Sequence, residues 1–231
     1  MNFVSADNLS KSYGDKNLFS GLSFGMEKGQ KIALVARNGA GKTTLLRIIA
    51  GAEQPDTGEV RINKDIRWAW LEQEPAPENT GTVRDYIFSG SNPVLQALNR
   101  YQQALEAYEQ SPDEKHLENL QKATEDMEVQ KAWDTEAMVQ QILGGFGIYD
   151  LNKPVNTLSG GQKKRMALSR LLIEEPELLI LDEPTNHLDL DMVEWLEGYL
   201  SRQNLSLLLV THDRYFLDSI CNEIAELDNG Q

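Results

Sequence analysis

Pro176-Glu-Leu-Leu-Ile-Leu-Asp-Glu-Pro-Thr-Asn-His-Leu-Asp189 is the stretch whose reading decides the fold. Four apolar residues, Leu178 to Leu181, lead into two adjacent carboxylates, Asp182 and Glu183, and Pro184 stops the run. Such a run reads as a buried parallel strand with acids at its carboxyl end. In an open α/β sheet that end is where ligands bind. Two neighbouring acids there suit separate jobs: one holds a Mg²⁺ or its water, and the other orients an attacking water. Taken alone, the stretch is also a core strand with a polar end. A phosphate loop upstream decides between the two.

That loop follows a second apolar strand, Lys31 to Val35. Ala36-Arg-Asn-Gly-Ala-Gly-Lys-Thr-Thr44 comes next, and then the helical pattern of Leu45, Leu46, Ile48 and Ile49. Strand, glycine loop, Lys-Thr and helix are the context a phosphate-binding loop requires. Its backbone N–H groups cradle phosphates, Lys42 neutralises β/γ oxygens, and the Thr43 hydroxyl reaches Mg²⁺. Ala36 stands where the pattern has its first glycine. A left-handed alanine costs about 1–2 kcal/mol, so Ala36 is predicted to keep a negative φ while the loop survives.

Outward from these two motifs, Phe3 to Tyr13 and Leu22 to Phe24 suggest short antiparallel strands around a Gly14-Asp15 turn. Tyr13 is either a core tyrosine or a ring that stacks on a base. Glu59 to Asn63 and Arg67 to Leu71 read as two further strands after the turn Asp56-Thr57-Gly58. Gln73 leaves the second, either as a solvated loop residue or as a contact to Mg²⁺ or the attacking water. Leu205 to Val210 is another buried strand, with His212 at its carboxyl end and Asp213 beside it. A histidine there is placed to donate to a γ-phosphate.

Between Thr82 and Ile148 the apolar period lengthens to about three and a half. Val94, Leu98, Tyr101, Leu105 and Tyr108 form a seam, and Leu117, Leu120, Thr124 and Met127 continue it in a second helix. Ser111, Pro112 and Glu114 fit the N-cap, first position and capping-box acid of that second helix. The two helices are predicted to pack as an antiparallel hairpin projecting from the body. From Val94 to Lys131 its basic residues are Arg100, Lys115, Lys122 and Lys131; its acids are Glu106, Glu109, Asp113, Glu114, Glu118, Glu125, Asp126 and Glu128. An RNA-gripping arm carries the opposite balance, so contact with RNA, contact with protein and a purely structural hairpin all stay open. A helix from Thr135 to Ile148 follows, ended by Gly144, Gly145 and Gly147. Leu158-Ser-Gly-Gly-Gln162 then opens another helix, whose start is suited to receive an anion from another domain.

The bulk properties are those of an ordinary soluble globular domain. The chain has 231 residues, 40% hydrophobic and 25% charged, with a net charge of −14. That charge opposes broad binding to nucleic acid, which needs a basic surface. No apolar run approaches about 20 residues, so no membrane insertion is expected. Asp7 and Lys11 interrupt any early apolar segment of the signal-peptide kind. The single Cys221 reads as a plain buried thiol in a reducing cytosol. His116 reads as a surface residue of the hairpin, and His187 lies between the acids and Asp189. The end, Asp228-Asn-Gly-Gln231, reads as a turn with no partner strand after it, which suggests a fragment.

Five motifs in this order, loop, glutamine, Leu-Ser-Gly-Gly-Gln, Leu-Asp-Glu and histidine, resemble an ABC-type ATPase domain over essentially all 231 residues. Glu183-Pro-Thr-Asn-His-Leu-Asp189 and the helical insertion between Gln73 and Leu158 resemble the ABC-F family, and the short hairpin is similar to the first domain of its Uup-like branch. The resemblance implies an α/β fold: a parallel core sheet, an antiparallel β subdomain, and a helical subdomain carrying the hairpin. The expected parts are 1–73 for the nucleotide-binding core and antiparallel part, 74–157 for the helical part with its arm at about 94–131, and 158–231 for the signature helix and remaining core. It implies ATP and Mg²⁺ as cofactors. Tyr13 would stack on adenine; Asn38, Gly39, Ala40, Gly41, Lys42, Thr43 and Thr44 would hold the phosphates and metal. Gln73 and Asp182 would complete the metal environment, Glu183 would polarise the hydrolytic water, and His212 would contact the γ-phosphate. Ser159, Gly161 and Gln162 would face the ATP of an opposing domain, with Asp189 lining the interface.

The implied partners are a second ABC domain, in the full-length chain or as a homodimer, and a ribosome or tRNA in the cytoplasm. An ATPase subunit of a membrane transporter is the alternative, and a binding module with little hydrolysis alone is compatible with both. Asn186, His187 and the hairpin favour the ribosomal reading. The family's inter-domain linker and second ATPase domain are not among these residues, so a longer tandem protein is expected.

Overall fold

The computed structural model describes residues 1–73 and 81–227. Met1–Pro75 with Glu174–Gln231 make one unit and Ala76–Ile173 a second.

In the first unit β1 (Asn2–Tyr13) and β2 (Lys16–Glu27) form a long antiparallel hairpin that turns at Gly14, whose φ is 57°. Both strands run 12 residues: β1 matches the expected Phe3 to Tyr13 to within one residue, whereas β2 is far longer than the expected Leu22 to Phe24. Register shifts between Ala6 and Leu9 and between Leu9 and Lys11 explain the difference, because a bulge breaks the two-residue alternation while pairing continues. β3 (Lys31–Ala36) leads through the glycine loop into α1 (Lys42–Ile49), and β4 (Thr57–Ile62) returns to pair with β1. Gly58, at φ 85°, lies so close to β1 that a Cβ would sit 2.4 Å from the Asn8 and Asp7 carbonyl oxygens. That approach admits no side chain.

β5 (Trp68–Leu71) opens the parallel sheet. After the second unit come β6 (Leu178–Asp182), α7 (Leu190–Arg202), β7 (Ser206–Val210), α8 (Arg214–Ile220) and β8 (Glu223–Leu227). The sheet order is β5-β6-β7-β3-β8 and every pair is parallel. All five residues of β6 and all five of β7 are buried, which is why each reads as an unbroken apolar run. β8 has no counterpart in the sequence reading. It is an edge strand, largely exposed over Glu223, Ile224 and Glu226, and carries no such run. The terminal turn assigned to Asp228–Gln231 lies outside the described residues. Phe3, Leu9, Phe19 and Met26 from the antiparallel sheet join Leu46, Ile180 and Leu208 in one buried cluster. Cys221 ends α8 half-buried, and burial pushes its thiol up to about 11, so little thiolate forms near neutrality.

The second unit contains α2 (Val83–Ile87), α3 (Pro93–Gln110), α4 (Glu114–Gln130), α5 (Trp133–Gly145) and α6 (Gly160–Ile173). α6 packs on α2 and α5, so the unit runs on to Ile173 instead of ending before the signature helix. α3 and α4 pair as the expected hairpin, but α4 begins two residues later than the Ser-Pro pattern predicted. Asp113 is its N-cap, accepting from the His116 backbone N–H at 2.8 Å. Ser111 instead ends α3, and its carbonyl accepts from the Asp113 N–H at 2.9 Å. An aspartate adds negative charge at the positive end of the helix, which a serine cannot. The seam also shifts: Ala123 and Met127 are buried in α4, while Leu117 is 40% exposed.

Candidate functional site

The phosphate loop is built by two left-handed glycines. Gly39 has φ 75° and Gly41, the N-cap of α1, has φ 98°. A Cβ on Gly41 would come within 3.1 Å of Leu18 Cβ, so backbone and not side chain faces the space above the helix start. Ala36 needs no such conformation, because it closes β3 and is not among the positive-φ residues. Lys42 reaches back across the loop and donates to the Ala36 carbonyl at 3.0 Å.

Above the loop lies a cavity of about 420 Å³. Tyr13, Asn38, Gly39, Gly41, Lys42, Thr43, Thr44, Gln73, Asp182, Glu183 and His212 line it, together with Lys16, Leu18 and Val210. Residues from five separate stretches therefore meet in one place. Ala40 does not line the cavity; it packs against the apolar cluster below. Ser159, Gly161 and Gln162 belong to the second unit, and Asp189 caps α7 by accepting from the Met192 N–H at 3.0 Å. Ser159 and Gln162 form a reciprocal box at the start of α6. The Gln162 N–H donates to Ser159 Oγ at 3.3 Å and the Ser159 N–H to Gln162 Oε1 at 3.0 Å. The Ser-x-x-Gln spacing carries that signal in the sequence.

The two acids differ in surroundings. Asp182 ends β6 and is 1% exposed; Glu183 is 6% exposed and sits at φ 49°. A left-handed glutamate is strained, and such residues gather where a surrounding fold fixes a reactive group. Its N–H donates to the Val210 carbonyl at 2.8 Å, which ties β6 to β7 at this point. The His212 N–H donates to Glu183 Oε2 at 3.3 Å, and His212 Nε2 lies 3.4 Å from Oε1. Burial pushes the Glu183 carboxyl up, against the opposing pull of His212 and Lys42. A carboxylate with raised proton affinity is a better acceptor from water.

The donor set fits a polyphosphate and a hard divalent cation. Loop N–H groups and Lys42 suit phosphate oxygens; the Thr43 hydroxyl, the Gln73 amide and Asp182 are oxygen donors of the kind Mg²⁺ takes a few at a time. Among the described residues no three His, Cys, Asp or Glu side chains form a metal-ligand group.

Lys16 and Leu18 were not singled out in the sequence. They belong to β2, and only the fold of the hairpin over the loop brings them there. A lone lysine after a turn carries no local signal for such a position.

The ABC transporter family model matches residues 19–186. An uncharacterized ABC transporter ATP-binding protein, YfmR of Bacillus subtilis, is 44% identical over 231 residues, all of this chain and 37% of that protein. The energy-dependent translational throttle protein EttA of Mycobacterium tuberculosis is 37% identical over 221 residues, 96% of this chain and 40% of that protein. ABC transporter F family member 5 of Arabidopsis thaliana is 35% identical over 238 residues, 98% of this chain and 34% of that protein. The chain thus spans well under half the length of these relatives.

Proposed function

The chain belongs to the ABC transporter family as an ATPase domain of the ABC-F kind, and from that we propose that it binds Mg²⁺–ATP in the cavity above Lys42 and hydrolyses it together with a second ABC domain of a cytoplasmic, translation-related protein. The observation that carries this reading is the convergence of Lys42, Thr43, Asp182, Glu183 and His212 on one cavity.

Lys42 and the loop N–H groups hold the phosphate chain by charge and by hydrogen bonds from the helix start. Thr43, Gln73 and Asp182 would hold the cation, which when bound would supply charge neutralisation of the phosphates. Glu183 orients and polarises the water, because its carboxylate is held by His212 and has raised proton affinity. His212 contacts the γ-phosphate, and Tyr13 stacks on the base. Ser159, Gly161 and Gln162 serve the nucleotide of the second domain, with Asp189 lining the shared face. The whole chain is then one ABC domain: core 1–73 and 174–231, and a helical part 74–173 whose arm spans about 94–131. Its Uup-like place in the ABC-F branch follows from the short arm.

The throttle protein's name supports a translational role, and Asn186 and His187 support the ABC-F reading. Among the described residues no helix is long and apolar enough to cross a membrane. ATP closes the two domains head to tail, and the arm engages a ribosome or its tRNA. In sedimentation of the full-length parent with ribosomes, ATP and a Glu183→Gln change are expected to trap the complex; no ATP-dependent association would overturn the ribosomal role.

A further inference from the structure

Tyr13 ends β1 beside a glycine turn and is 52% exposed, so nothing in the strand itself holds its ring over the cavity. The main hold comes from the loop after α1, with a lesser hydrogen bond to the hydroxyl from Thr44 of α1. The Tyr13 hydroxyl donates to Glu53 Oε1 at 2.5 Å. Lys11 Nζ lies 3.0 Å from the same oxygen, donates to the Gln54 carbonyl at 2.7 Å, and stands 5.5 Å from the Tyr13 ring centroid. The Ser12 N–H and hydroxyl both donate to Asp56 Oδ2, each at 2.8 Å. Three successive residues of β1 are thus tied to residues 53–56.

We propose that Glu53 is a positioning residue for the nucleotide base: it anchors the Tyr13 ring at the cavity mouth, in the orientation that receives the purine, while Lys11 holds the Glu53 carboxylate in place. The inference rests on reading the cavity as the ATP site. The Glu53 and Lys11 side chains are only 19% and 13% exposed, so water competes less for their contact than at an open surface. The tyrosine hydrogen bond, before the lysine charge, holds the Glu53 carboxyl below its usual range, and the same bond pushes the Tyr13 hydroxyl up. Near neutrality the pair is therefore a neutral donor on an ionised acceptor, a stronger bond than one between neutral groups. An exposed tyrosine otherwise samples several staggered side-chain positions, and fixing one in advance removes an ordering cost from binding.

A merely structural tie would serve the loop whether or not a base is present, and the test uses that difference. Mg²⁺–ATP and Mg²⁺–tripolyphosphate, which lacks a base, are titrated calorimetrically into the full-length parent. The site of this domain is defined as the binding lost in Lys42→Ala. Glu53→Ala is expected to weaken ATP about tenfold, a loss equal to one good hydrogen bond's worth of preorganisation, and to leave tripolyphosphate unchanged. Tyr13→Phe, which keeps the ring and loses the tether, should match it. The double variant should be no weaker than either single one, and Glu53→Gln, which keeps a neutral acceptor, should recover part of the loss. Unchanged tripolyphosphate binding also shows that the loop remains folded. If Tyr13→Ala weakens ATP while Glu53→Ala and Tyr13→Phe do not, the ring matters without the tether and the positioning role fails. Equal loss of ATP and tripolyphosphate in Glu53→Ala would overturn it too. If Lys42→Ala removes no ATP binding at all, the ATP-site reading itself fails, and the inference with it.

Discussion

The carboxyl ends of β6 and β7 and the hairpin of α3 and α4 treat acidic side chains in opposite ways. At the strand ends Glu183 is 6% exposed, left-handed, and pushed toward its neutral form by burial. In the hairpin no acid is buried as Glu183 is, and three of them meet ordinary partners: Asp113 caps α4, Glu118 lies 2.6 Å from Lys122 one turn on, and the part-exposed Asp126 pairs with Arg100 across the two helices. A surface acid costs little and contributes little. A buried, strained acid is retained against its own free energy, and chemistry is the usual reason for keeping it. An acid's placement, more than its presence, separates function from solubility in this chain.

The largest expected effect lies at Glu183. Glu183→Gln should lower steady-state ATP turnover by about 10²–10⁴-fold, the range for losing a positioned proton acceptor, while ATP still binds. The same change should stabilise the nucleotide-free protein, raising Tm by about 2–4 °C at neutral pH. The sign follows from linkage. A carboxyl raised by burial binds its proton more tightly folded than unfolded, so folding loses stability as pH climbs from the ordinary glutamate value through the raised one. The amide carries no charge, so its advantage should vanish in acid below the ordinary value. Melting curves across pH check this; a lower Tm for the amide at neutral pH would break the contrast, because the buried acid would then be stabilising.

An effect on Tm of similar size and opposite sign is expected in the hairpin, without the loss of turnover. Asp113→Ala removes the cap of α4 and should lower Tm by about 2–4 °C. The His116 backbone N–H, before the ring's charge, holds the Asp113 carboxyl below its usual range. Its contribution is present above the ordinary aspartate value and fades as pH falls through the depressed one. Glu183 and Asp113 should therefore show mirror-image pH dependence in the same melting experiment. Parallel slopes would mean that burial does not separate the two acids.

What was legible in the sequence follows the same division. β6, β7 and the phosphate loop were plain, because a strand buried on both faces is a continuous apolar run and a glycine loop before a helix is local. β8 was missed because its outer side is wet, and the extent of β2 was hidden by bulges that break alternation, while β1 was read to within one residue. The start of α4 was misplaced because Ser111-Pro112 imitates a helix start, while Asp113 offers the charged cap that wins. At the site, motif order nominated Tyr13, Gln73 and His212, all of which line the cavity. Lys16, Leu18 and Glu53 had no such signal: each reaches its position through pairing or packing with residues distant in the chain.

The smallest effect should come from the Arg100–Asp126 pair, and its size tests what holds the hairpin together. Arg100 Nε donates to Asp126 Oδ2 at 3.1 Å, and the side chains are 54% and 29% exposed. At such exposure water and salt screen the attraction, and ordering two long side chains opposes it. A double-mutant cycle with Arg100→Ala and Asp126→Ala should therefore give a coupling of about 0.2–1 kcal/mol, reduced in high salt. Leu98 and Met127, both fully buried, then carry most of the hairpin's stability through packing. A coupling of several kcal/mol that resists salt would instead make the pair a fixed latch, and the hairpin would resemble the strand ends in depending on a charged group whose surroundings hold it.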